Sequence, residues 1–592
     1  MLTINARVLP LSIIVIVIIL LCICCSLTQS IAKNTTQNKP FVFATYSTLR
    51  TLDPCAAYDA ASFQRIMTMY EPLIFYKGHE VNQFIPVLAT NVPTYENGGI
   101  INNGLTYMFS IRKNVHFHNG QSLTPEDVVY SFKRNMIADP TGGPMWMLLE
   151  ALTGHHSTRD QSNTIIPGIF EKIDHCIEFK SNKVIFKLYQ PFPPFLGILA
   201  SSSAVVLNKQ WAIKNGCWDG TIHNAHRFNN PLPGKEPLHH CTNGTGAYEF
   251  SKWEPSKMFV FERFDHYWGT PPAIKTAIIK YVKEWSTRKL MLQNGDAHRV
   301  TVDPPYYEEV KKMKGVSTHI VPQLSVSCMF MVQNVTSSAN TYIGSGKLDG
   351  KGISPDFFSD THIRKAFLHA FDRKIFQSDV LNQMGEIPSS PLIKGLAFHQ
   401  DVPIYAFDLD QVTYHLKQAW QGKVWKMGFT MTIASNTGNE IREAAALMLS
   451  ENLMRVHPKI KINVVTVDWK DYLVRYRNRL YPVFITGWVG DYADPHNFMY
   501  SFLHSKGVYG RIIGYDNPEA DQLCEAGIRT INSNQRQRIY QRLQNIWYED
   551  ALGLALYQQT NLRAYRNNVK GYSFNPMLTD AWEDLKQLSI DD

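Results

Sequence analysis

The chain has 592 residues, of which 44% are hydrophobic and 19% are charged, and 59 Lys and Arg residues stand against 51 Asp and Glu residues. This balance is typical of a folded chain with a mildly basic surface. The basic residues do not cluster into the stripe that nucleic-acid binding requires, so we expect no nucleic-acid partner.

The N-terminus has the layout of a secretory signal peptide. Arg7 precedes an apolar run at 8–23, and Ser30-Ile31-Ala32 resembles a cleavage site, so we predict a signal peptide at residues 1–32. One alternative is an uncleaved anchor, because residues 8–25 reach the lower limit of about 18 residues for a membrane-spanning helix. Another is lipidation on Cys24 or Cys25, which Ile23 disfavours because a lipoprotein signal needs a small residue at that position.

No later segment carries such an apolar run. We therefore expect an exported protein that works in the periplasm, or outside the cell in association with the membrane. The length predicts roughly two to four domains. Because no Gly/Ser-rich or Pro-rich linker separates them, we expect lobes built from interleaved segments.

The patterning of the first half predicts a mixed α/β fold. Alternating apolar and polar residues predict strands, and Thr124-Pro125-Glu126-Asp127 predicts a helix start because proline and acids favour the first turn. In chain order, the predictions are a strand at 41–46, a strand at 105–112, a helix from the Thr124 motif to Arg134, a strand at 183–188, and a hairpin at 248–253 and 258–263.

The second half carries longer predicted helices. The predictions, in chain order, are a helix at 362–376 capped by Ser359 or Asp360, a helix at 441–456, a strand at 460–467, a strand at 481–486 that ends at Gly487, and a helix in which Ile539, Leu543, Ile546 and Trp547 share one face before an apolar run at 552–557. We interpret these apolar stripes as core packing.

The segment at 487–498, GWVGDYADPHNF, combines an aromatic residue with two carboxylates directly after a predicted strand. A carboxylate beside an indole ring offers an ammonium group both an ion pair and a cation–π face. Asp491 is the better candidate, because Asp494 precedes Pro495 and an Asp-Pro pair is typical of turns. The alternative is that both acids only cap or turn the chain.

The cysteines of the mature chain fit an exported protein. Cys55, Cys176, Cys217, Cys241, Cys328 and Cys524 remain after the signal, and export permits disulfides. Spacing does not determine their pairing. A bond between Cys217 and Cys241 would close the Pro-, Gly- and His-rich loop between them.

Motifs for catalysis or metal binding do not emerge. The sequence has neither a G-x-S-x-G elbow nor an H-E-x-x-H helix, and the segment from Gly344 to Lys347 fails as a phosphate loop because an earlier glycine and the final Ser/Thr are missing. His239-His240-Cys241 lacks paired metal-ligand spacing. We expect no enzyme, no cofactor and no metal, with an exported hydrolase as the alternative of a different class.

Several stretches in a fixed order resemble one family. They include Leu52-Asp53-Pro54, Tyr70-Glu71-Pro72-Leu73, the dense segment 104–134, Pro191 to Phe195, Gly244 to Tyr248, Asp265 to Gly269, Ile363 to Ala366, and Trp488 with Asp491 and Asp494-Pro495. Together these stretches resemble the family 5 extracellular solute-binding proteins, the dipeptide- and oligopeptide-binding components of ABC transporters.

The resemblance implies an α/β fold of the periplasmic-binding-protein type (type II, cluster C). It implies three lobes of interleaved segments around a hinged ligand cleft. We expect lobe I at 40–72, 200–325 and 560–592, lobe II as an insertion at 73–199, and lobe III at 326–559.

The resemblance also implies a function. A monomer would capture short peptides, dipeptides or oligopeptides, by closing its cleft and would deliver them to the permease subunits of an ABC transporter. Asp491 would take the peptide's ammonium group and the backbone of Val489 would pair with the extended peptide, with Trp488 and Tyr492 as the neighbouring ligand-binding residues.

Two questions stay open at this level. Relatives on the same fold carry nickel chelates, haem, sugars or antibiotics, so a non-peptide cargo is the nearest alternative. A peptide's carboxylate also needs a cation. Arg364 lies in a family-like segment, but we interpret it as part of a structural ion pair on a helix and leave the cation unassigned.

Overall fold

The computed structural model describes residues 39–578 and 584–591. The predicted signal peptide at 1–32, with its anchor and lipidation alternatives, lies outside these ranges. Within them, no helix combines the length and the apolar character that crossing a bilayer requires.

The strands form one large mixed sheet and three small sheets. In chain order the strands are β1 Phe41–Thr45, β2 Ile74–Tyr76, β3 Phe84–Pro86, β4 Ile100–Ile101, β5 Thr106–Ser110, β6 Ile177–Lys180, β7 Lys183–Lys187, β8 Tyr248–Glu254, β9 Met258–Arg263, β10 Thr276–Tyr281, β11 Arg299–Val302, β12 Val316–Met331, β13 Phe429–Asn436, β14 Ile460–Val467, β15 Val483–Val489, β16 Gly553–Arg566, β17 Val569–Lys570 and β18 Ser589–Ile590. The large sheet has the order β14-β13-β15-β12-β16-β11-β1-β10-β9-β8, and the small ones are β4-β5-β7-β6, β2-β3 and β17-β18.

Helices lie between many of these strands. They are α1 Ala60–Met69, α2 Pro125–Ala138, α3 Trp146–Thr153, α4 Ile169–Cys176, α5 Phe195–Leu199, α6 Lys209–Lys214, α7 Trp285–Asn294, α8 Tyr307–Lys311, α9 Thr361–His369, α10 Arg373–Ile375, α11 Leu409–Gln418, α12 Lys423–Met427, α13 Glu440–Val456, α14 Trp469–Arg477, α15 Pro495–Leu503, α16 Val508–Ile513, α17 Pro518–Arg529 and α18 Ser533–Glu549. Short 3-10 turns and one π turn, at Phe376–Val380, connect some of them.

The two longest strands, β12 and β16, connect the halves of the large sheet. They pair antiparallel, and their register shifts between Pro322 and Val326. On one side of the shift β16 also pairs with β11, and on the other side β12 pairs with β15. The shift therefore interrupts the ladder between the half of the sheet that contains β1 and the half that contains β13.

The start of α2 confirms the predicted helix signal. The Thr124 side chain accepts the Asp127 N–H, and the Asp127 carboxylate in turn accepts the Thr124 N–H, which forms a capping box around Pro125. The predicted strands before and after α2, the hairpin β8-β9, and the helix and strand at 441–467 are also present.

Several predicted boundaries are wrong. The helix predicted to end at Arg134 continues to Ala138, and the strand predicted from 481 begins at Val483. The helix predicted at 362–376 ends at His369, although Asp360 caps it as expected, because Asp372 accepts the N–H groups of Lys374 and Ile375 and so starts a new helix. The strand predicted to end at Gly487 continues to Val489, because β15 keeps its pairing with β12 as far as Ser325.

The buried apolar residues form two large clusters and a smaller one. Trp488 and Phe498 belong to the cluster that packs around β13, β15 and α15. Tyr492, which lies between them in the chain, belongs instead to the cluster around β1 and α1–α6. The loop after β15 therefore contacts both large cores, while the three lobe boundaries stay a prediction.

A tyrosine keeps β15 and β13 apart at one end. The two strands pair only at Ile433 with Val483 and at Ala434 with Phe484. Beyond that point the buried Tyr472 hydroxyl lies 3.1 Å from the Ala434 oxygen and 2.8 Å from the Ile485 oxygen, and it accepts the Ile485 N–H at 3.0 Å. The edge of β15 from Gly487 onward is thereby left without β13 as a neighbour.

We expect Tyr472→Phe to lower the free energy of unfolding by about 1–3 kcal/mol, because it leaves buried backbone groups of two strands without a partner. Urea denaturation followed by circular dichroism measures this change. Tyr414→Phe is the control, since Tyr414 is 52% exposed. Equal effects of the two substitutions would contradict the role given to Tyr472.

Candidate functional site

Asp491 lies directly beyond the end of β15, at the edge left open by Tyr472. The intervening Gly490 donates its N–H to the Leu324 oxygen at 2.9 Å, and a Cβ on Gly490 would lie 3.1 Å from the Phe498 ring. These close contacts fix the backbone just before Asp491. The carboxylate is therefore held at a defined position at the end of the sheet.

Only neutral groups donate hydrogen bonds to this carboxylate. The Tyr58 hydroxyl lies 3.0 Å and the Asn497 amide 2.9 Å from Asp491 Oδ2, and within the described ranges no basic side chain forms a salt bridge with it. Burial raises the pKa of Asp491 to about 6, although the two hydrogen bonds lower it in part. A cation placed here would stabilise the charged form.

Asn497 organises the carboxylate and its neighbours. Its amide oxygen accepts the Asp491 N–H at 3.1 Å and the Trp488 indole N–H at 2.9 Å, while its NH₂ group donates to the Asp491 carboxylate. Sequence reasoning missed this residue. The available signal was the Asp-Pro start of α15, which places Asn497 in the first helical turn with its side chain directed back toward the loop.

Tyr58 brings a distant part of the chain to Asp491, because 433 positions separate the two residues. Its hydroxyl accepts the Trp146 indole N–H at 3.1 Å, and the Trp146 ring stacks on Tyr500 with centroids 6.1 Å apart. Burial, together with the charge of Asp491, raises the pKa of Tyr58 well above its usual value, so it stays a donor. Residues before α1, in α3 and in α15 thus meet at one carboxylate.

Asp494 has a different, structural environment. It caps α15 by accepting the His496 N–H. It also forms a bidentate ion pair with Arg536, with N–O distances of 2.6 and 2.8 Å. Both side chains are largely buried. The predicted role of Asp494 in turning or capping the chain agrees with its position as the cap of α15. The ion pair with α18 is a contact that the sequence did not predict.

The backbone of Val489 faces the open edge of the sheet. Ile485 directs its N–H and C=O toward Tyr472, and alternate residues of a strand present these groups to the same side. The backbone N–H and C=O groups of Gly487 and Val489 therefore point away from β12. The Gly487 oxygen accepts a hydrogen bond from the Tyr509 hydroxyl at 2.8 Å. The Gly487 oxygen is thus already bonded, and Val489 is the position on this edge whose backbone could pair with an added extended chain.

The aromatic residues predicted as ligand contacts are both buried. Trp488 packs edge-on against Phe502 and Tyr509, and its indole N–H donates a hydrogen bond to the Asn497 amide oxygen. Tyr492 is fully buried, and a Cβ on Gly197 would lie 3.2 Å from the Tyr492 Cβ. The structure thus shows a supporting position for Trp488, while direct ligand contacts of Trp488, Val489 and Tyr492 stay predictions.

Arg364 is structural, but not as the predicted ion pair. Its guanidinium group donates to the backbone oxygens of Phe358, Ser359 and Asp550 and to the Thr361 hydroxyl. In the part of the chain that is described, its hydrogen bonds go to backbone oxygens and a hydroxyl and not to a carboxylate. It anchors the start of α9 to the turn after α18 and is not available to a ligand.

The predicted partners Cys217 and Cys241 carry free thiols in this structure. Cys217 Sγ accepts a hydrogen bond from Arg134 at 3.3 Å, and Cys241 Sγ lies 3.9 Å from the Pro237 oxygen. The disulfide therefore stays a prediction.

Other polar groups do not assemble a second site. Among residues 39–578 and 584–591, no group of three or more His, Cys, Asp or Glu side chains could hold a metal ion, and His239 contacts Glu236 at 3.3 Å. A cavity of about 280 Å³ has Cys217, Trp218 and Lys235 in its wall, and Asp491 does not line it. Its buried arginine, Arg134, is already paired with Asp53.

Three comparisons describe what the chain is similar to. The family model for bacterial extracellular solute-binding proteins, family 5 (middle), matches residues 83–510. Oligopeptide-binding protein AppA of Bacillus subtilis is 25% identical over 490 residues, which cover 80% of this chain and 79% of that protein. The dipeptide-binding protein of Escherichia coli is 24% identical over 548 residues, covering 89% and 90%.

A solved structure of the periplasmic binding protein DppA from Helicobacter pylori, in complex with the peptide STSA, is also similar. It has a TM-score of 0.73 at 19% identity and covers 94% of this chain and 100% of that one. This likeness confirms the predicted α/β fold of the periplasmic-binding-protein type.

Substitution by asparagine should change the free energy of unfolding differently at Asp491 and at Asp494, which are three positions apart. We expect Asp494→Asn to lower the free energy of unfolding by about 3–5 kcal/mol, because it leaves Arg536 buried without its counter-charge. We expect Asp491→Asn to leave the stability of the empty protein unchanged or to raise it, because it removes a desolvated charge that has no cationic partner.

Urea denaturation of both variants at pH 7 measures the difference. Each variant is the matched control for the other, since both changes remove one carboxylate from the same loop. A loss of stability in Asp491→Asn as large as that in Asp494→Asn would contradict this division.

Proposed function

Because the chain belongs to the family 5 bacterial extracellular solute-binding proteins, which bind solutes and are not enzymes, we propose that it captures short peptides outside the cytoplasm. In this proposal the monomer closes on the peptide and delivers it to the permease subunits of an ABC transporter in the membrane. The peptide-binding relatives support this choice of cargo.

The observation that carries the proposal is the carboxylate of Asp491 beside an open strand edge. Among the described residues, the donors to this carboxylate are the neutral Tyr58 and Asn497, so a ligand ammonium would supply the positive charge. Next to it, the main-chain groups of Val489 would pair with the ligand's backbone. An ammonium joined to an extended backbone is the N-terminus of a peptide.

Closure and ligand charge are coupled in this mechanism. Tyr58 and Asp491 come from opposite ends of the chain and meet only when their two parts of the fold are in contact. Bringing them together without a ligand buries a charge that lacks a counter-ion, which is unfavourable. With an ammonium group in place, exclusion of water strengthens the ion pair and so favours the closed form.

The same arrangement accounts for tolerance of different side chains. The proposed contacts are made by the ligand's ammonium and backbone, which all peptides share, and not by a particular side chain. The proposed permease partner and the proposed location outside the cytoplasm rest on membership of the family and not on Asp491.

We expect Asp491→Asn to weaken the binding of trialanine by about 10- to 100-fold, because a charge-assisted contact contributes about 1.5–3 kcal/mol. N-acetyl-trialanine, which lacks the ammonium group, should bind the unaltered protein about as weakly. Isothermal titration calorimetry measures both.

Asp360→Asn is the control, because this acid caps α9 away from the site. Equal affinities for free and acetylated peptide would contradict the proposal. Binding of a non-peptide cargo with no measurable affinity for any peptide would replace it.

Peptide binding should also depend on pH through Asp491. The pKa of its carboxyl in the empty protein is raised to about 6, and a bound ammonium would lower it, so below pH 6 the ligand must displace a proton. We expect the affinity to be constant from pH 7 upward to the titration of the ligand's own amine. We expect it to fall by up to tenfold per unit as the pH decreases below 6.

Calorimetry at pH 6 in buffers of different ionisation enthalpy should show release of about half a proton per peptide bound. Asp491→Asn should abolish this release. Undiminished proton release in Asp491→Asn would assign the linkage to another group.

A further inference from the structure

We infer that Asn575 is a positioning residue for Asp491, which acts by fastening a C-terminal strap, residues 571–578, to the strand beside the carboxylate. This inference rests on the proposed function, because it concerns how the carboxylate is kept where a peptide's ammonium group would meet it. A binding group works only as well as the structure that holds it in place.

The strap follows β17 and is held by two ring contacts. The Tyr572 ring stacks on His319 of β12 with centroids 4.2 Å apart, and the Phe574 ring stacks on His79 at the same separation. His79 Nδ1 also donates to the Phe574 oxygen at 2.7 Å. Because His79 belongs to the turn between β2 and β3, the strap joins the large sheet to this small hairpin.

Asn575 is buried, and its side-chain amide bonds only to backbone groups of the strap and of this turn. Its NH₂ group donates to the Gly78 oxygen at 2.7 Å and to the Glu80 oxygen at 2.9 Å, while its Oδ1 accepts the Met577 N–H at 2.9 Å. Its backbone oxygen accepts the Leu578 N–H at 2.9 Å. The amide therefore sets the turn of the strap and attaches it to the β2-β3 hairpin.

The same turn of the strap reaches β12 directly beside the carboxylate. The Pro576 oxygen accepts the Leu324 N–H at 3.0 Å, and the Leu324 oxygen accepts the Gly490 N–H at 2.9 Å. Leu324 lies where the register of β12 against β16 shifts, so the strap supplies a partner at a point where the ladder with β16 is interrupted. Two backbone hydrogen bonds thus connect the strap to the residue before Asp491.

The hairpin that Asn575 binds is itself a neighbour of the carboxylate. Tyr76, the last residue of β2, is buried, and its burial together with the charge of Asp491 raises the pKa of its hydroxyl. The turn bound by Asn575 begins at the next residue. Asn575 therefore joins two structures that adjoin Asp491, the hairpin that ends in Tyr76 and the backbone at Gly490.

The packing at the end of the strap agrees with this role. Met577 belongs to the buried cluster around β13, β15 and α15, whereas Leu578 belongs to the cluster around β1 and α1–α6. The loop after β15 is divided between the same two clusters, through Trp488 and Tyr492. The strap and this loop therefore both contact the two large cores, and Leu324 bonds to both of them.

Asn575→Ala should loosen the backbone at Asp491 without removing the carboxylate. We expect it to weaken the binding of trialanine by about 3- to 10-fold, which is part of the loss of about 10- to 100-fold expected for Asp491→Asn. Binding of N-acetyl-trialanine, which has no ammonium group for Asp491 to receive, should be unchanged. Isothermal titration calorimetry of the full-length variant and the unaltered protein measures both affinities.

A double-mutant cycle tests whether Asn575 acts through Asp491. Added to Asp491→Asn, the change Asn575→Ala should cause no further loss of trialanine affinity. Proton release at pH 6 is a second readout, because looser packing admits water to the carboxylate, lowers its pKa from about 6 and so reduces the release in Asn575→Ala below half a proton. A residue that only stabilised the fold would add its effect to that of Asp491→Asn and leave the proton release unchanged.

Asn568→Ala is the matched control, because it removes the same amide from the same end of the chain, where that amide donates to the Asp591 oxygen at 3.2 Å. Its affinities for both peptides should equal those of the unaltered protein. Thermal denaturation checks that each variant is folded. If Asn575→Ala does not fold, His79→Ala replaces it, since the exposed His79 holds the strap only at Phe574, and a smaller loss confined to the free peptide is expected.

An equal loss of affinity for free and acetylated trialanine in Asn575→Ala would overturn the inference, because the residue would then support the fold in general. An unchanged affinity for trialanine in the folded variant would overturn it as well. Either result leaves the proposed function standing as long as the unaltered protein prefers the free peptide. Equal binding of the two peptides by the unaltered protein would instead refute the role of Asp491, and the proposed function with it.

Discussion

The charge of Asp491 is solvated in the empty protein by a phenol and an amide, and most of the surrounding architecture depends on that arrangement. Neutral donors stabilise a carboxylate less than a cation does, so burial raises its pKa and the site retains an affinity for positive charge. Replacing Tyr58 or Asn497 by a basic residue would satisfy the carboxylate permanently. The protein would gain stability and lose the site, which is the usual conflict between stability and function.

A second carboxylate makes this arrangement possible. The ion pair of Asp494 with Arg536 ties α15 to α18, and the cap that Asp494 provides sets the direction of α15. That direction in turn places Asn497 against Asp491 and Trp488. Asp494 is thus paired with a cation, whereas the described donors to Asp491 are neutral.

Local signals were predictable from the sequence, and contacts between distant residues were not. Thr124 and Asp127 determine the start of α2 through bonds within four residues, and the pattern around 441–467 determines a helix and a strand. The break at Asp372 and the extension of β15 past Gly487 depend on competing caps and on a neighbouring strand. Asp491 was identified by its loop and by family resemblance, but its partner Tyr58 is 433 positions away, a distance over which spacing carries no information.

The position of β16 has a consequence for how the chain acquires its structure. β11 and β12 are neighbours in sequence, yet they are separated in the sheet by a strand from residues 553–566. A chain that emerges N-terminus first cannot join the two halves of the sheet until nearly its whole length is available. The two halves can pair with each other only after β16 has been made. The complete sheet therefore forms late in synthesis or after it.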